Sequence, residues 1–206
     1  MQSYTIMRQQ GKPRWDAVPG AQIDRFNWNC KYQPLSRAQL LLLDDRALAV
    51  RLLSYEENPV SKCECLDGPV YKDSCIEFFV NAFPEKSDCY LNFECNHTGH
   101  LFINYGGEID WHQRKKTSAL GLSHPSVECF SGSDPRGDYW GVSFEIPLSF
   151  FERVYGEKWS PHEMRGNFFK CGDDTPHPHF GSWTEITYPR PNFHLPEFFG
   201  KLVFED

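Results

Sequence analysis

Residues 71–99 read YKDSCIEFFVNAFPEKSDCYLNFECNHTG and hold two alternating runs joined by a polar turn. In the first run Ile76, Phe78 and Val80 share one face, and Cys75, Glu77 and Phe79 share the other. In the second, Leu91, Phe93 and Cys95 point one way, and Tyr90, Asn92, Glu94 and Asn96 the other. A period of two is the mark of strands with two distinct faces. One face is apolar and predicts a sheet packed on a core. The opposite row mixes carboxylates, amides and aromatic rings, where a solvated strand would carry Lys, Thr and Ser. Such a row suits a sheet face that holds a polar, ring-shaped ligand.

The same period recurs along the chain. An apolar run over 39–43, a turn at Asp44-Asp45 and a second run over 47–55 predict an early hairpin. Residues 100–105 alternate again, and 126–130 predict a further strand followed by a turn over 131–137. Over 139–146, Trp140, Val142, Phe144 and Ile146 point inward while Ser143 and Glu145 point out. Pro147 and Gly156 bracket a segment that predicts two helical turns over 148–155. Strands are expected over 167–171 and 201–204, an extended lead-in over 1–20, and ordered loop over 173–197. Many short strands with turns between them, and one short helix, predict an all-β, antiparallel β-sandwich of the jelly-roll or immunoglobulin-like kind. The 206 residues read as one domain spanning 1–206.

Charge and composition narrow the function. The net charge of -7 argues against a partner that tracks nucleic-acid phosphates. No run reaches the ~18 apolar residues of a membrane span, so no membrane partner is expected. The first residues lack the apolar centre of a secretory signal, and the chain reads as cytoplasmic. Its eight cysteines therefore read as reduced thiols, with Cys75 and Cys95 as small buried hydrophobes. Cys63-Glu64-Cys65 lacks the two-residue spacer of common zinc knuckles. His177, His179 and His194 lie in a proline-stiffened segment without a third ligand of fixed geometry.

The order of motifs resembles a known family. Trp15-x-Asp stands near the start, followed by Asp73-Ser-Cys-Ile-Glu77-Phe-Phe-Val and Tyr90-x-x-Phe93-Glu94-x-Asn96-x-x-Gly99. Later come Trp140-Gly-Val-Ser-Phe-Glu145-Ile-Pro147, Asn167-Phe-Phe-Lys-Cys, Trp183 and Phe199-Gly200-Lys-Leu. In this order they resemble a family-9-like carbohydrate-binding module among the DOMON-like β-sandwiches. The resemblance implies non-catalytic binding of a mono- or oligosaccharide in the context of xylan- or cellulose-type glycan catabolism. It implies a sugar ring held between two aromatic side chains, at positions that match Tyr71 and Trp183, with Tyr71 standing where the family carries Trp. It places the strand carboxylate at Glu77. It also implies structural calcium, for which no compact acidic loop offers a place.

Residue chemistry fills out this candidate site. Glu77 and Glu94 can accept charge-assisted hydrogen bonds from hydroxyls. Asn92 sits mid-strand, where Asn is unfavourable, and offers both donors and acceptors. Lys170 is a further polar candidate, and Trp111, in the polar run Asp110-Trp-His-Gln-Arg, a second stacking ring. Two other readings stand beside this one. Glu77, Glu94 and Glu145 supply enough acids for a glycoside-processing enzyme. A scaffold that kept the sandwich and lost its sugar site is the other.

Overall fold

The structure, a computed structural model, describes residues 1–107 and 113–205. Among the described residues the strands are, in chain order, β1 (Ser3–Gln9), β2 (Ala21–Ile23), β3 (Arg25–Phe26), β4 (Ser36–Leu43), β5 (Ala47–Ser54), β6 (Cys75–Asn81) and β7 (Tyr90–Asn96). They continue as β8 (Leu101–Gly106), β9 (Lys115–Lys116), β10 (Glu128–Asp134), β11 (Gly137–Pro147), β12 (Met164–Cys171), β13 (Phe180–Ser182) and β14 (Gly200–Phe204). One α-helix, α1 (Leu148–Tyr155), follows β11. No helix of the described residues is long and apolar enough to cross a membrane.

The strands form two facing sheets. One runs β10-β11-β5-β4, and the other β14-β12-β6-β7-β8-β9. β1 is the seam: residues Ser3–Ile6 pair with β14, and Met7–Gln9 pair with β4. Both of these pairings are parallel, while all others are antiparallel. An all-antiparallel sandwich is therefore corrected at β1, which sequence reading took for lead-in. Its partners lie far along the chain, so no local hairpin signal announces it.

Several expectations hold in detail. Asp44 and Asp45 turn the β4–β5 hairpin with φ of 51° and 49°, in the left-handed region that Asp tolerates. α1 starts after Pro147 and ends at Gly156, which has φ of 72° and donates its N–H to Glu152 O at 2.8 Å. The turn expected over 131–137 is narrower than predicted, because Ser131–Asp134 continue β10 and pair with β11.

The core is the space between the sheets. Register aligns Phe168 of β12, Phe78 of β6, Phe93 of β7 and Ile103 of β8 in one row. Phe78 stacks on Phe168 at 5.3 Å and on Phe93 at 6.2 Å between ring centroids. Phe93 in turn reaches Phe144 of the opposite sheet at 5.8 Å. All four Phe side chains are buried. Truncating a buried Phe removes its transfer free energy and leaves a cavity, together about 3–5 kcal/mol. Phe93→Ala is expected to lose stability on that scale in denaturant unfolding. A loss below 1 kcal/mol, on the order of a surface change, would contradict this packing.

Candidate functional site

The outer face of the β12-β6-β7-β8 sheet is as dry as the inner one. Glu77, Phe79, Asn92, Glu94, Asn96, Phe169 and Cys171 all project there and all are buried. Two segments cover them. The first, over 61–73, is anchored by Asp73, whose Oδ2 accepts from the N–H groups of Lys62 and Cys63 and from Asn96 Nδ2. Ser74 Oγ accepts from Val60 N–H and donates to Glu56. The Asp-Ser pair ahead of β6 thus ties down the loop that carries Tyr71. An added Cβ at Gly68 would meet Cys63 Sγ at 2.4 Å and Cys65 Sγ at 2.6 Å, so a larger residue there would displace those thiols.

The second cover runs over 186–199. Asn27 Nδ2 and Trp28 Nε1 hold its start by donating to the carbonyls of Ile186 and Tyr188, at 2.7 and 2.6 Å. Phe193 stacks on Phe169 at 4.2 Å and 12°. The Tyr90 hydroxyl and His194 Nδ1 lie 2.8 Å apart. Burial, then the charge of Arg114, holds the His194 imidazole down at about 3, so it is neutral at pH 7.

Between these covers lies a cavity of about 710 Å³. Its floor is Glu77, Glu94, Asn104, Phe79 and Cys171 on the sheet, and Arg114 closes one side. Tyr71, Phe102, Phe180 and Phe193 bring ring walls, and Asp173 a further carboxyl. The Arg114 guanidinium lies 4.0 Å over the Tyr90 ring. It donates to Gly106 O, to Tyr90 O at 3.0 Å and to Asn92 Oδ1 at 2.6 Å. Asn92 Nδ2 donates to Glu94 Oε1 at 2.7 Å. Glu77 Oε1 accepts from the Cys171 thiol at 3.1 Å. Glu77 Oε2, Asn104 Oδ1 and Arg114 Nε are buried and have no hydrogen-bond partner among the described residues. A buried polar atom left unpaired is costly, and here three belong to one cavity.

Glu77 and Glu94 are direct cross-strand partners. Burial raises both carboxyls, Glu77 well above the usual range with the charge of Glu94 adding to it, and Glu94 to about 7. The Asn92 hydrogen bond and Arg114 pull Glu94 back. Asp173 is lifted to about 6, first by burial and then by Asp174. At neutral pH the floor therefore holds protons and can donate as well as accept.

The structure brings Tyr71, Glu77 and Glu94 together, and sets Asn92 behind them as the residue that orients Arg114 and Glu94. It does not bring Trp183 or Lys170 there. Trp183 is a core residue, 2% exposed, with its ring 5.5 Å from Phe168 and 6.4 Å from Tyr4. The Gln2 amide oxygen, turned toward it, accepts its indole N–H at 2.7 Å, and Gly200 leaves room for the ring. Lys170 alternates with Phe169 and Cys171, so it faces inward. Its ammonium pairs with Glu56 at 3.0 Å and donates to His179 Nε2 at 2.8 Å. Trp111 lies outside the described residues. Sequence reading missed Asn104, Arg114, Phe193 and Asp173, although Asn104 and Phe102 already shared a face in the 100–105 alternation.

One group of three His, Cys, Asp or Glu side chains among the described residues brings ligand atoms close together: Cys75, Glu77 and Cys171. All eight cysteines are free thiols.

Comparison with known proteins gives the family of the chain. The family described as carbohydrate-binding family 9 matches residues 14–204. The chain belongs to carbohydrate-binding family 9. A protein from Bacteroides uniformis to which carbohydrate binding is ascribed is 27% identical, covers 99% of both chains and superposes with a TM-score of 0.80. A family 9 module from Caldicellulosiruptor kristjanssonii in complex with cellotriose is 15% identical, with a TM-score of 0.64, over 99% of this chain and 94% of its own. The same organism's module in complex with glucose is 17% identical, with a TM-score of 0.63, over 99% and 96%. No curated protein matches.

Two outcomes test the buried charges as described. The folded chain keeps the Glu94 proton between the usual carboxyl value of 4.5 and about 7, while the unfolded chain loses it. Stability is full below the usual value and falls as pH rises through about 7. Glu94→Gln, which cannot ionise, is expected to melt higher than the parent at about pH 8 and equally at about pH 4. An equal gap at both would refute the shift. Lys170→Met leaves Glu56 buried without its counter-ion, a loss of about 3–5 kcal/mol in urea unfolding; a neutral substitution would return Lys170 to the candidate ligands.

Proposed function

We propose that this family 9 domain binds, without turning over, a mono- or short oligosaccharide of the cellulose or xylan type in the cavity between Tyr71 and Phe193. The observation that carries this reading is the floor of unpaired buried polar atoms on Glu77, Asn104 and Arg114 beneath ring-bearing walls. A pyranose matches both halves. Its C–H faces pack on aromatic rings, and its hydroxyls donate to Glu77 and Asn104 and accept from Arg114. The family is one of non-catalytic modules, and relatives of this fold hold cellotriose and glucose.

The placement of the acids supports binding over hydrolysis. Glycosidases set two carboxyl groups on opposite sides of the bond they break. Glu77 and Glu94 are neighbours on one sheet face, so both approach a ligand from the same side. Glu145 lies on the other sheet and pairs with Arg46 at 2.9 Å.

Calorimetry with glucose, cellobiose, cellotriose and xylobiose tests the reading. One site is expected for at least one sugar. Tyr71 is 40% exposed, so Tyr71→Ala leaves the fold intact. A stacked ring is worth about 0.5–1.5 kcal/mol beyond its area, and its loss is expected to weaken binding roughly tenfold. Trp183→Phe is expected to lower the melting temperature and leave affinity unchanged. No heat with any sugar, or full affinity in Tyr71→Ala, would overturn the site.

A further inference from the structure

Beneath the sugar cavity lies a second set of ligand atoms that shares only Glu77 with sugar recognition. Cys75 and Cys171 are direct partners across β6 and β12, and Glu77 follows Cys75 by two residues on the same face. Sheet register alone therefore gathers two thiols and a carboxyl. Glu77 Oε1 is 3.1 Å from Cys171 Sγ and 3.8 Å from Cys75 Sγ, and the three ligand atoms lie within 4.8 Å of one another. All three side chains are buried, at 0% for Cys75, 1% for Cys171 and 2% for Glu77. Val70, Phe102, Phe180 and Phe193 pack around the thiols and keep water from their sides. Glu77 and Cys171 reach the cavity, and Glu77 Oε2 has no hydrogen-bond partner there among the described residues.

We propose that Cys75, Cys171 and Glu77 bind a thiophilic divalent cation of the zinc type, with its fourth position open to the cavity. Zinc takes thiolate at about 2.3 Å and carboxylate at about 2.1 Å in a tetrahedron, which sets sulfur–oxygen edges of about 3.6 Å and a sulfur–sulfur edge of about 3.8 Å. The two sulfur–oxygen distances present bracket that edge. Two thiolates and one carboxylate neutralise a divalent ion with one negative charge to spare. The sulfur content selects against calcium and magnesium, which take oxygen ligands. Binding releases the two thiol protons, together with the proton that burial keeps on Glu77, to solvent and changes no oxidation state. The fourth position accepts a water or a hydroxyl, as in zinc sites with three protein ligands. Glu77 Oε1 faces the thiols, which leaves Oε2 for a ligand in the cavity.

The full chain, reduced and free of metal, is titrated anaerobically with Co²⁺. Thiolate-to-cobalt charge transfer and the visible bands of a tetrahedral ion are expected to saturate at one equivalent and to be displaced by Zn²⁺. Cys171→Ser and Cys75→Ser are each expected to lose the charge-transfer band and to weaken Zn²⁺ binding at least about a hundredfold, since changes outside the ligand shell alone cost about 10–100-fold. The double variant Cys63→Ser/Cys65→Ser is expected to keep the spectrum. X-ray absorption at the zinc edge of the unmutated chain needs no variant to fold, and is expected to count two sulfur ligands. No thiolate band, a band that survives Cys171→Ser, a band lost with Cys63 and Cys65, or a zinc shell without sulfur would each overturn the proposal. None of these readouts depends on sugar binding.

Discussion

The strand β6 is buried on both faces, and the rest of the molecule is arranged around that fact. Its inner row, Ile76, Phe78 and Val80, meets the opposite sheet. Its outer row, Cys75, Glu77 and Phe79, is sealed by two loops. Hydrogen bonding to β12 on one side and β7 on the other fixes register in both directions. A slip of one residue would put Glu77 into the core and take Phe78 out of it, which the core does not tolerate. Register therefore decides the position of Glu77 more firmly than any contact of Glu77 itself.

This arrangement has an electrostatic cost. Two carboxyl groups stand side by side out of water, with Arg114 over the neighbouring ring and not in direct contact with Glu77. The inner core supports that cost through the stacked Phe78, Phe93, Phe168 and Phe144. The floor is preorganised as a result. Its polar atoms are held in place by strand register, so a hydroxyl that reaches them meets groups already oriented. The same burial gives the thiols of Cys75 and Cys171 a dry setting beside Glu77.

Legibility differed from residue to residue for physical reasons. The shared face of Glu77 and Glu94 was readable because strand alternation assigns faces without further information, whereas Tyr71, in a turn ahead of β6, was reached only through motif order. The helix was readable because Pro147 and Gly156 act locally. Trp183 was misplaced because a loop-like run of small and polar neighbours says nothing about what lies beneath. The ring inserts over Gly200, a residue distant in sequence. Lys170 was misplaced for a different reason. Its face follows from alternation with Phe169 and Cys171, but an inward Lys needs a buried anion, and Glu56 comes from a loop more than a hundred residues earlier.

By itself the sequence determined the two-faced strands, the hairpins, the single helix and the family, since these rest on period, turn chemistry and motif order. Only the tertiary structure decided that the outer face of the second sheet is closed over rather than bathed in water. It also decided which rings wall the cavity, that Arg114 and Asn104 belong to it, and that β1 joins the two sheets in parallel. Those outcomes depend on loops 61–73 and 186–199 folding back across strands far from them in sequence. Contacts of that kind are set by shape and burial between distant segments, and no local pattern encodes them.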